Sequence, residues 1–287
     1  MQTLSAVALA RRSFSAGGDP DSGRPFSAIA NFIELIRKLQ NLYTLTKMVV
    51  FDMAGTTVNE NNVVYKCLMQ AINEKGYDLS LDQVLAEGAG KEKLQAIKSI
   101  LSVYAEMDDD DFSSEIYQRF ILILEDAYDT LDVLPQNNAL ALFQALKQRG
   151  ILVILNTGYN RETAEKLLNK LGWQKGVHID GLVTASDVFK NRPNPDMIWY
   201  AMKEFGITDA AEVMKVGDSI IDIEEGQNAG CLLSIGITTG AHTLEQLQSA
   251  GPNYIISNLM ELLPLLESNQ EFLSTDTTIR TKPLDKV

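Results

Sequence analysis

The segment between Lys47 and Val58 constrains the fold of this chain more than any other segment. It begins as an unbroken apolar run of strand length, reaches Asp52, and is then broken by a Gly-Thr-Thr turn. An unbroken apolar run is typical of a strand that is buried on both faces of a parallel sheet. Open α/β sheets bind their ligands at the carboxyl ends of such strands, which is where Asp52 would lie. Taken alone, such an aspartate is better explained as the cap of the next helix.

Three later segments follow the first in a fixed order and overturn that simple explanation. A second apolar strand ends at Thr157 and Gly158, and a basic turn at Arg192 opens a helix. A third strand delivers Asp218 and Asp222, two carboxylates four residues apart. This order of Asp, Thr, Arg and an Asp pair resembles the motifs of the haloacid-dehalogenase-like hydrolases. Each motif alone is weak, but four motifs in the same order make a chance match implausible.

The pattern of strands and helices divides the chain into a core and an insertion. From residue 135 onward, strands and helices alternate, which predicts a parallel sheet. Helices are predicted at 136–149, 160–171 and 195–205, and strands at 181–184, 231–235 and 254–256. The resemblance therefore implies an α/β fold: a Rossmann-like parallel sheet core of the haloacid-dehalogenase type with an inserted helical cap domain. We assign 47–58 and 135–266 to the core and the helical stretch 59–134 to the cap.

The two ends of the chain lie outside this resemblance. Residues 1–18 contain two arginines, several serines and alanines, and no acidic residue. This composition is typical of an organelle transit peptide, and a disordered or wrongly assigned extension over 1–46 explains it equally well. The transit peptide would place the protein in a mitochondrion or another organelle, whereas the default location is cytoplasmic. Apolar spacing at 29–42 predicts a surface helix, and the polar residues 267–287 predict a flexible tail.

Composition excludes several classes of partner. The net charge of −13 argues against binding to nucleic acid or to an anionic membrane surface. No apolar run approaches the length of about 20 residues that a membrane-spanning helix needs. Cys67 and Cys231 are the only cysteines, so a disulfide framework is not expected. A phosphorylated substrate would have to be attracted by local cations, because the overall charge repels it.

The resemblance implies a phosphoryl-transfer site with Asp52 as the nucleophile. Asp52 would form an aspartyl-phosphate that water later hydrolyses. Thr157 would offer its hydroxyl and nearby backbone N–H groups to the phosphoryl oxygens. Arg192 would hold Asp52 and the phosphoryl group together through its charge. The implied substrate is a small phosphorylated or phosphonate molecule, and a homodimer is left open.

The same resemblance implies a Mg²⁺ site built from oxygen ligands. Asp52 and Asp218 would bind the ion through carboxylate oxygens, and Ala54 through its backbone carbonyl. Asp222 lies one helical turn beyond Asp218 and would orient the site from behind, through water or directly. The charges are compatible, because three carboxylates would face one divalent ion and Arg192.

Ala54 departs from the most common pattern of the superfamily. Most of its phosphatases carry a second aspartate at this position, which acts as the general acid for the leaving group. The Ala-Gly-Thr-Thr sequence after Asp52 instead resembles the phosphonoacetaldehyde hydrolases, or phosphonatases. These enzymes cleave a carbon–phosphorus bond after a cap lysine has formed a Schiff base with the substrate aldehyde. Lys91, at the end of a Gly-Ala-Gly-Lys loop, lies where that lysine belongs.

The role of Lys91 stays open, because phosphonatases have a histidine three residues later and this chain has Leu94. Its two histidines, His178 and His242, lie outside the predicted cap, and we interpret His242 as an ordinary loop residue. Lys91 could instead contact only the phosphate of a monoester, which would make the protein a phosphatase. An inactive binding protein is disfavoured, because it would not need all five motif residues. Dehalogenation is disfavoured because a metal-binding Asp218 serves no purpose in halide displacement.

Overall fold

The computed structural model describes residues 46–59, 61–130 and 133–266. The predicted N-terminal extension, with its helix at 29–42, and the predicted tail at 267–287 lie outside these residues. Within the described ranges, no helix is both long enough and apolar enough to cross a membrane.

Eight strands occur among the described residues. They are β1 (Met48–Asp52), β2 (Val58–Asn59), β3 (Leu134–Pro135), β4 (Leu152–Thr157), β5 (Gly181–Thr184), β6 (Val213–Gly217), β7 (Leu233–Ile237) and β8 (Tyr254–Ile256). Six of them form one parallel sheet in the order β5-β4-β1-β6-β7-β8. The predicted α/β fold with a parallel sheet is confirmed, and the first motif strand lies at its centre.

Nine α-helices occur in the same part of the chain. They are α1 (Val63–Asn73), α2 (Leu81–Gly88), α3 (Lys93–Ala105), α4 (Asp110–Thr130), α5 (Ala139–Gln148), α6 (Arg161–Leu171), α7 (Asp196–Glu204), α8 (Ile220–Ala229) and α9 (Leu244–Ser249). The helices α5 to α9 alternate with the strands of the sheet, and α1 to α4 follow one another without an intervening strand.

Strand β1 is buried along its whole length and sends side chains to both faces of the sheet. Phe51 packs on one face, where its ring lies 5.6 Å from that of Phe143. Met48 and Val50 pack on the other face, against Met197 of α7 and its neighbours. This period of two explains why an unbroken apolar run is needed here, because both faces are covered by helices.

The register of the central strands aligns their carboxyl ends. Asp52 at the end of β1 is paired with Asn156 of β4, and Phe51 is paired with Val216 of β6. The last residues of β1, β4 and β6 therefore lie side by side at one edge of the sheet, where the motif residues were predicted to meet.

A two-stranded antiparallel ribbon connects the helical insertion to the sheet. Val58 of β2 pairs with Pro135 of β3, and Asn59 pairs with Leu134. The sequence did not predict this ribbon, because two residues are too few to show an alternating pattern. The ribbon lies at the predicted boundaries of the cap. That the four helices move as a separate domain stays a prediction.

Two predicted boundaries differ from the structure. The strand predicted at 231–235 lies at Leu233–Ile237, because Cys231 and Leu232 still belong to the connection that follows α8. The helix predicted at 136–149 begins at Ala139, after Asn138 in the left-handed conformation. Cys67 is buried, Cys231 is half-buried, and neither forms a disulfide.

Candidate active site

Asp52 lies at the end of the central strand and is almost completely buried, with 5% of its surface exposed. Its Oδ1 accepts a hydrogen bond of 2.7 Å from Nη1 of Arg192, which is also buried. Arg192 reaches Asp52 from the loop between β5 and α7, 140 residues further along the chain. The structure therefore brings together the first and third predicted motif residues.

Arg192 donates four hydrogen bonds within the protein and forms one further ion-pair contact. Its Nε donates to Glu225 at 3.0 Å, and its Nη1 faces both Asp52 at 2.7 Å and Asp222 at 3.0 Å. Its Nη2 donates to the backbone carbonyl of Asn156 at 3.0 Å and to the side-chain oxygen of Asn156 at 2.5 Å. A guanidinium has five N–H groups in a fixed fork. In this arrangement Arg192 holds Asp52, and its predicted action on a phosphoryl group stays a prediction.

A second buried cation, Lys215, lies beneath Asp52 and was not among the predicted site residues. It is fully buried in β6, and its Nζ lies 2.7 Å from Oδ1 of Asn156, 2.9 Å from Asp222 and 3.2 Å from Glu225. Asn156 in turn donates to both carboxylate oxygens of Glu225, at 2.9 and 3.0 Å. A lysine inside an apolar strand is itself a signal, because buried lysines almost always have charged or polar partners.

Asp218 faces Asp52 across the edge of the sheet and is 4% exposed. Its Oδ1 accepts from the Thr56 hydroxyl at 3.3 Å, and its Oδ2 accepts from the backbone N–H of Ala241 at 2.6 Å. Oxygen atoms of Asp52, Asp218 and Asp222 all lie within 4.8 Å of one another. Three converging carboxylates in a buried site are the kind of donor set that hard divalent cations prefer.

The charge of the buried cluster also fits a divalent cation. Among the described residues, four buried carboxylates and two buried cations meet here, which leaves a formal charge of −2 when all are ionised. They are Asp52, Asp218, Asp222, Glu225, Arg192 and Lys215. Burial, reinforced by the charge of Asp222, raises the pKa of Asp52 to about 6. Burial and the charges of Asp52 and Asp222 raise the pKa of Asp218 well above its ordinary value. A bound divalent cation would relieve both effects, so the residues fit Mg²⁺.

Asp222 lies behind the other two carboxylates. Its Oδ1 faces Arg192 and Lys215, and its Oδ2 accepts from the Ser219 hydroxyl at 2.5 Å. Burial raises the pKa of Asp222, but Arg192 and Lys215 outweigh it and hold this pKa below its ordinary value. A Cβ at position 217 would lie 2.2 Å from Cγ of Asp222, so only glycine permits this approach. The Oδ1 atom of Asp222 lies at ion-pair distance from two cations but accepts no hydrogen bond within the described residues, and the role of Asp222 in orienting or binding a metal stays a prediction.

The pKa of Asp52 predicts a stability of the metal-free protein that depends on pH. Because the folded-state pKa of about 6 lies above the ordinary value of 3.8, the folded state keeps a proton that the unfolded state has released. Between about pH 4 and pH 6 the free energy of unfolding should therefore fall as the pH rises, by up to about 3 kcal/mol from this group. Urea unfolding in EDTA at pH 4 and pH 7 measures this change.

The matched control for this measurement is Asp52→Asn, which has no titrating group at this position. Relative to the wild-type protein, the variant should gain about 3 kcal/mol between pH 4 and pH 7. Added Mg²⁺ should stabilise the wild-type protein at pH 7 more than the variant. Equal pH dependence in the two proteins would show that ionised Asp52 is not destabilising.

Thr157 and Ala54 lie at or just beyond the ends of the strands that carry the buried cluster, and their roles in the site stay predictions. Thr157 ends β4, is 2% exposed, and its hydroxyl accepts from the backbone N–H of Tyr159 at 3.2 Å. Ala54 is half-buried two residues beyond Asp52, where the backbone forms a bridge with Val58. No acidic side chain occupies this position, so the usual general acid is missing from the structure as well as from the motif.

Lys91 lies just after α2, in a segment that we call the cap loop and define as Gly88–Lys91; Gly88, predicted to lie in the loop, is the last residue of the helix. The cap loop packs directly on the loop after β4, since a Cβ at Gly158 would lie 2.7 Å from the carbonyl oxygens of both Gly90 and Lys91. Lys91 is half-buried, and this burial lowers its pKa, although the charges of Glu87 and Glu224 act in the opposite direction. The direction of the shift is the one that an amine nucleophile needs.

His242 was interpreted as an ordinary loop residue, but it is buried against both the site and the insertion. Its backbone N–H donates to the Asp218 carbonyl at 3.2 Å, and its Nδ1 accepts from the backbone N–H of Ile220 at 3.0 Å. Its Nε2 lies 3.4 Å from the carbonyl of Leu85 in α2. Burial lowers the pKa of His242. Its neighbours in sequence gave no signal, because the contact with α2 spans 157 positions.

Known proteins resemble this chain in sequence and in fold. The profile described as "Haloacid dehalogenase-like hydrolase" matches residues 49–234. A phosphonoacetaldehyde hydrolase from Latilactobacillus sakei is 28% identical over 77% of this chain and 95% of its own length. A bifunctional phosphonoacetaldehyde hydrolase/aminoethylphosphonate transaminase from Clostridioides difficile is 28% identical over 72% of this chain, which spans only 34% of that longer protein.

A solved structure gives the same fold. The crystal structure of a phosphonoacetaldehyde hydrolase-like protein from Oleispira antarctica superposes with a TM-score of 0.69 at 22% identity, and covers 83% of this chain and 96% of its own. The family profile matches residues 49–234, which is more than half of the chain. The chain therefore belongs to the haloacid dehalogenase-like hydrolases.

Proposed function

We propose that this protein is a Mg²⁺-dependent hydrolase that forms an aspartyl-phosphate on Asp52 and cleaves a small phosphonate of the phosphonoacetaldehyde type. The observation that carries the proposal is the environment of Asp52. Its carboxylate is held by Arg192 at the end of the central strand, and it faces Asp218 at a distance that suits a shared divalent cation. A carboxylate fixed in this way can attack phosphorus without first reorienting.

The residues of the chain would divide the reaction into separate tasks. Asp52 attacks the phosphorus atom with one carboxylate oxygen, while Arg192 and the layer of Lys215 and Glu225 hold it in line. Thr157 contributes its hydroxyl and nearby N–H groups to the phosphoryl oxygens. Mg²⁺, held by Asp52, Asp218 and the Ala54 carbonyl, would supply positive charge to the phosphoryl group. Water then hydrolyses the aspartyl-phosphate and restores Asp52.

Ala54 supports a phosphonate substrate over an ordinary ester. When a phosphate ester is cleaved, the leaving group is an alkoxide that a nearby acid can protonate. Position 54 lacks such an acid. When a phosphonate is cleaved, the leaving group is a carbon atom, and another group must accept the electron pair of the broken C–P bond. An iminium formed between Lys91 and the substrate aldehyde, with loss of water, would accept that pair and become an enamine. Protonation and hydrolysis of the enamine would release the aldehyde product and the free Lys91 amine.

A phosphomonoester phosphatase is the second candidate, and two observations favour it. Leu94 occupies the place of the histidine that the phosphonatases carry. Burial lowers the pKa of Lys91 overall, but the carboxylates of Glu87 and Glu224 act against that shift, and an ammonium group would suit a phosphate contact and not an imine. In this case Lys91 would bind the substrate and would take no part in bond breaking.

A substrate screen with and without Mg²⁺ tests the proposal. We expect phosphonoacetaldehyde to be cleaved rapidly with Mg²⁺, and phosphate monoesters slowly. Asp218→Asn should raise the Mg²⁺ concentration needed for half-maximal rate by more than the roughly 10- to 100-fold that loss of an outer partner produces. Rapid turnover of esters alone would establish the phosphatase instead. Activity that does not depend on Mg²⁺ would refute the proposed metal site.

A further inference from the structure

Lys93 is a buried cation in the insertion, and its position contradicts two local rules. It is the first residue of α3, and only 4% of its surface is exposed. The amino end of a helix carries partial positive charge, so a cation there is unfavourable. Removing an ammonium from water is also unfavourable unless it is well paired. A residue that violates local rules in this way is expected to serve a specific contact.

The surroundings of Lys93 stabilise a positive charge. Its Nζ donates to the carbonyl oxygen of Lys91 at 2.7 Å. The same atom lies 4.9 Å from the ring centroid of Tyr65 and 5.1 Å from that of Tyr159. A carbonyl oxygen and two aromatic faces all attract a cation. These contacts fix the position of the Nζ atom.

These partners come from both the helical insertion and the sheet, where the two are packed together. Tyr65 lies on α1, and its hydroxyl accepts from the backbone N–H of Gly90 in the cap loop at 2.9 Å. Tyr159 follows β4 and lies two residues beyond Thr157. Gly158, between them, contacts the Lys91 carbonyl that Lys93 also holds. Lys93 thus joins the cap loop to the loop that carries Thr157.

We propose that Lys93 is a positioning residue that locks the cap loop against the Thr157 loop through the ring of Tyr159. If the insertion moved away from the sheet, Tyr159 would stay behind and Lys93 would lose one of its two ring contacts. The part of the stabilisation that comes from Tyr159 is therefore available only in the closed arrangement. Its consequence for Lys91 chemistry rests on the proposed function, but the lock itself does not.

Hydrogen exchange without substrate tests the lock directly. Lys93→Met keeps the length of the side chain and removes its charge. We expect the Gly90 and Lys91 amides to exchange about tenfold faster, the change that corresponds to loss of a buried cation–π contact. Lys93→Arg should restore the wild-type rate, since a guanidinium also stacks on aromatic rings. Lys98→Met is the matched control, because Lys98 lies on the same helix in an exposed ion pair with Asp110, and it should change nothing.

A double-mutant cycle with Tyr159→Leu separates the lock from general destabilisation. Tyr159→Leu alone should accelerate exchange in the cap loop, and adding Lys93→Met to it should have little further effect. The proposal would be overturned if the two effects were additive, if exchange were unchanged in Lys93→Met, or if Lys93→Arg did not restore the wild-type rate. If Lys93→Met does not fold, Tyr159→Leu and Lys93→Arg still test it, and wild-type exchange in Tyr159→Leu would refute the lock.

Kinetics supply the link to function and a separate outcome. On whichever substrate the wild-type protein turns over, Lys93→Met should lower kcat more than it changes KM, and Lys93→Arg should recover kcat. An unchanged kcat would refute positioning by Lys93. Failure of the protein to cleave phosphonates would refute the proposed function alone, because the exchange experiment contains no substrate.

Discussion

Asp52→Asn is expected to abolish turnover and leave the fold intact. The amide is not a nucleophile toward phosphorus and is a poor ligand for Mg²⁺, so both the attack and the metal site are lost. We expect the rate to fall by about 10⁴-fold or more, the scale observed when a covalent nucleophile is removed. The fold should survive, because asparagine has nearly the same volume and its oxygen can still accept the hydrogen bond from Arg192. Steady-state rates and circular dichroism measure the two halves of the prediction.

Asp180→Asn is the matched control for this prediction. Like Asp52, Asp180 forms an ion pair with a cation, in this case Lys147. It also accepts from the backbone N–H of Val153, near the opposite end of β4. The control should keep nearly full activity and lose at most a modest amount of stability, because partly exposed ion pairs contribute about 1 kcal/mol or less. More than about 1% residual activity in Asp52→Asn would be incompatible with an aspartyl-phosphate on this residue.

The parts of the site that could be predicted are those with a local signal. Asp52, Thr157 and Asp218 each follow an apolar strand, and parallel strands place such residues at one edge of the sheet. The order of motifs then identified Arg192, although no local pattern shows that it reaches Asp52. The same local logic predicted most of the sheet, and it missed the β2–β3 ribbon because its strands are too short to show a period.

The residues that were missed depend on contacts between distant parts of the chain. Lys215 and Glu225 are held by Asn156, which is 59 and 69 positions away. His242 contacts Leu85 across 157 positions. Each of these residues is polar and would be solvated if its segment stood alone, so its burial follows only from the assembled fold. The one signal that could have been used was Lys215 itself, because a lysine inside an apolar strand is unusual.

The buried layer adds contacts of Arg192 that the sequence did not predict. The motif order implied a cation shared between nucleophile and substrate. Arg192 donates four hydrogen bonds to Asp52, Asn156 and Glu225 and lies at ion-pair distance from Asp222, so its geometry holds Asp52 in place. In the proposed reaction, the N–H groups near Thr157, the metal and Lys91 would contact the phosphoryl group directly.

Lys91→Arg is expected to stop cleavage of phosphonoacetaldehyde, because arginine keeps the charge and cannot form an imine. We expect a loss of about 10³-fold or more on this substrate, since no other group would accept the electron pair of the C–P bond. Borohydride added with phosphonoacetaldehyde should reduce the imine and leave a stable adduct on Lys91, which peptide mass spectrometry would locate. The Lys91→Arg protein should give no adduct.

The partial burial of Lys91 favours the neutral amine that imine formation requires, and Lys93 provides a control for the labelling. An amine must be neutral to attack an aldehyde, and burial lowers the pKa of Lys91 from its ordinary value of 10.5. The rate of trapping should therefore rise with pH until the amine is fully deprotonated. Lys93 lies two residues away, but its Nζ is bonded to a carbonyl and lies against two rings, so it should not be labelled. Activity of Lys91→Arg on phosphonoacetaldehyde near the wild-type level would mean that Lys91 only contacts the phosphoryl group, and labelling of Lys93 would reassign the nucleophilic amine.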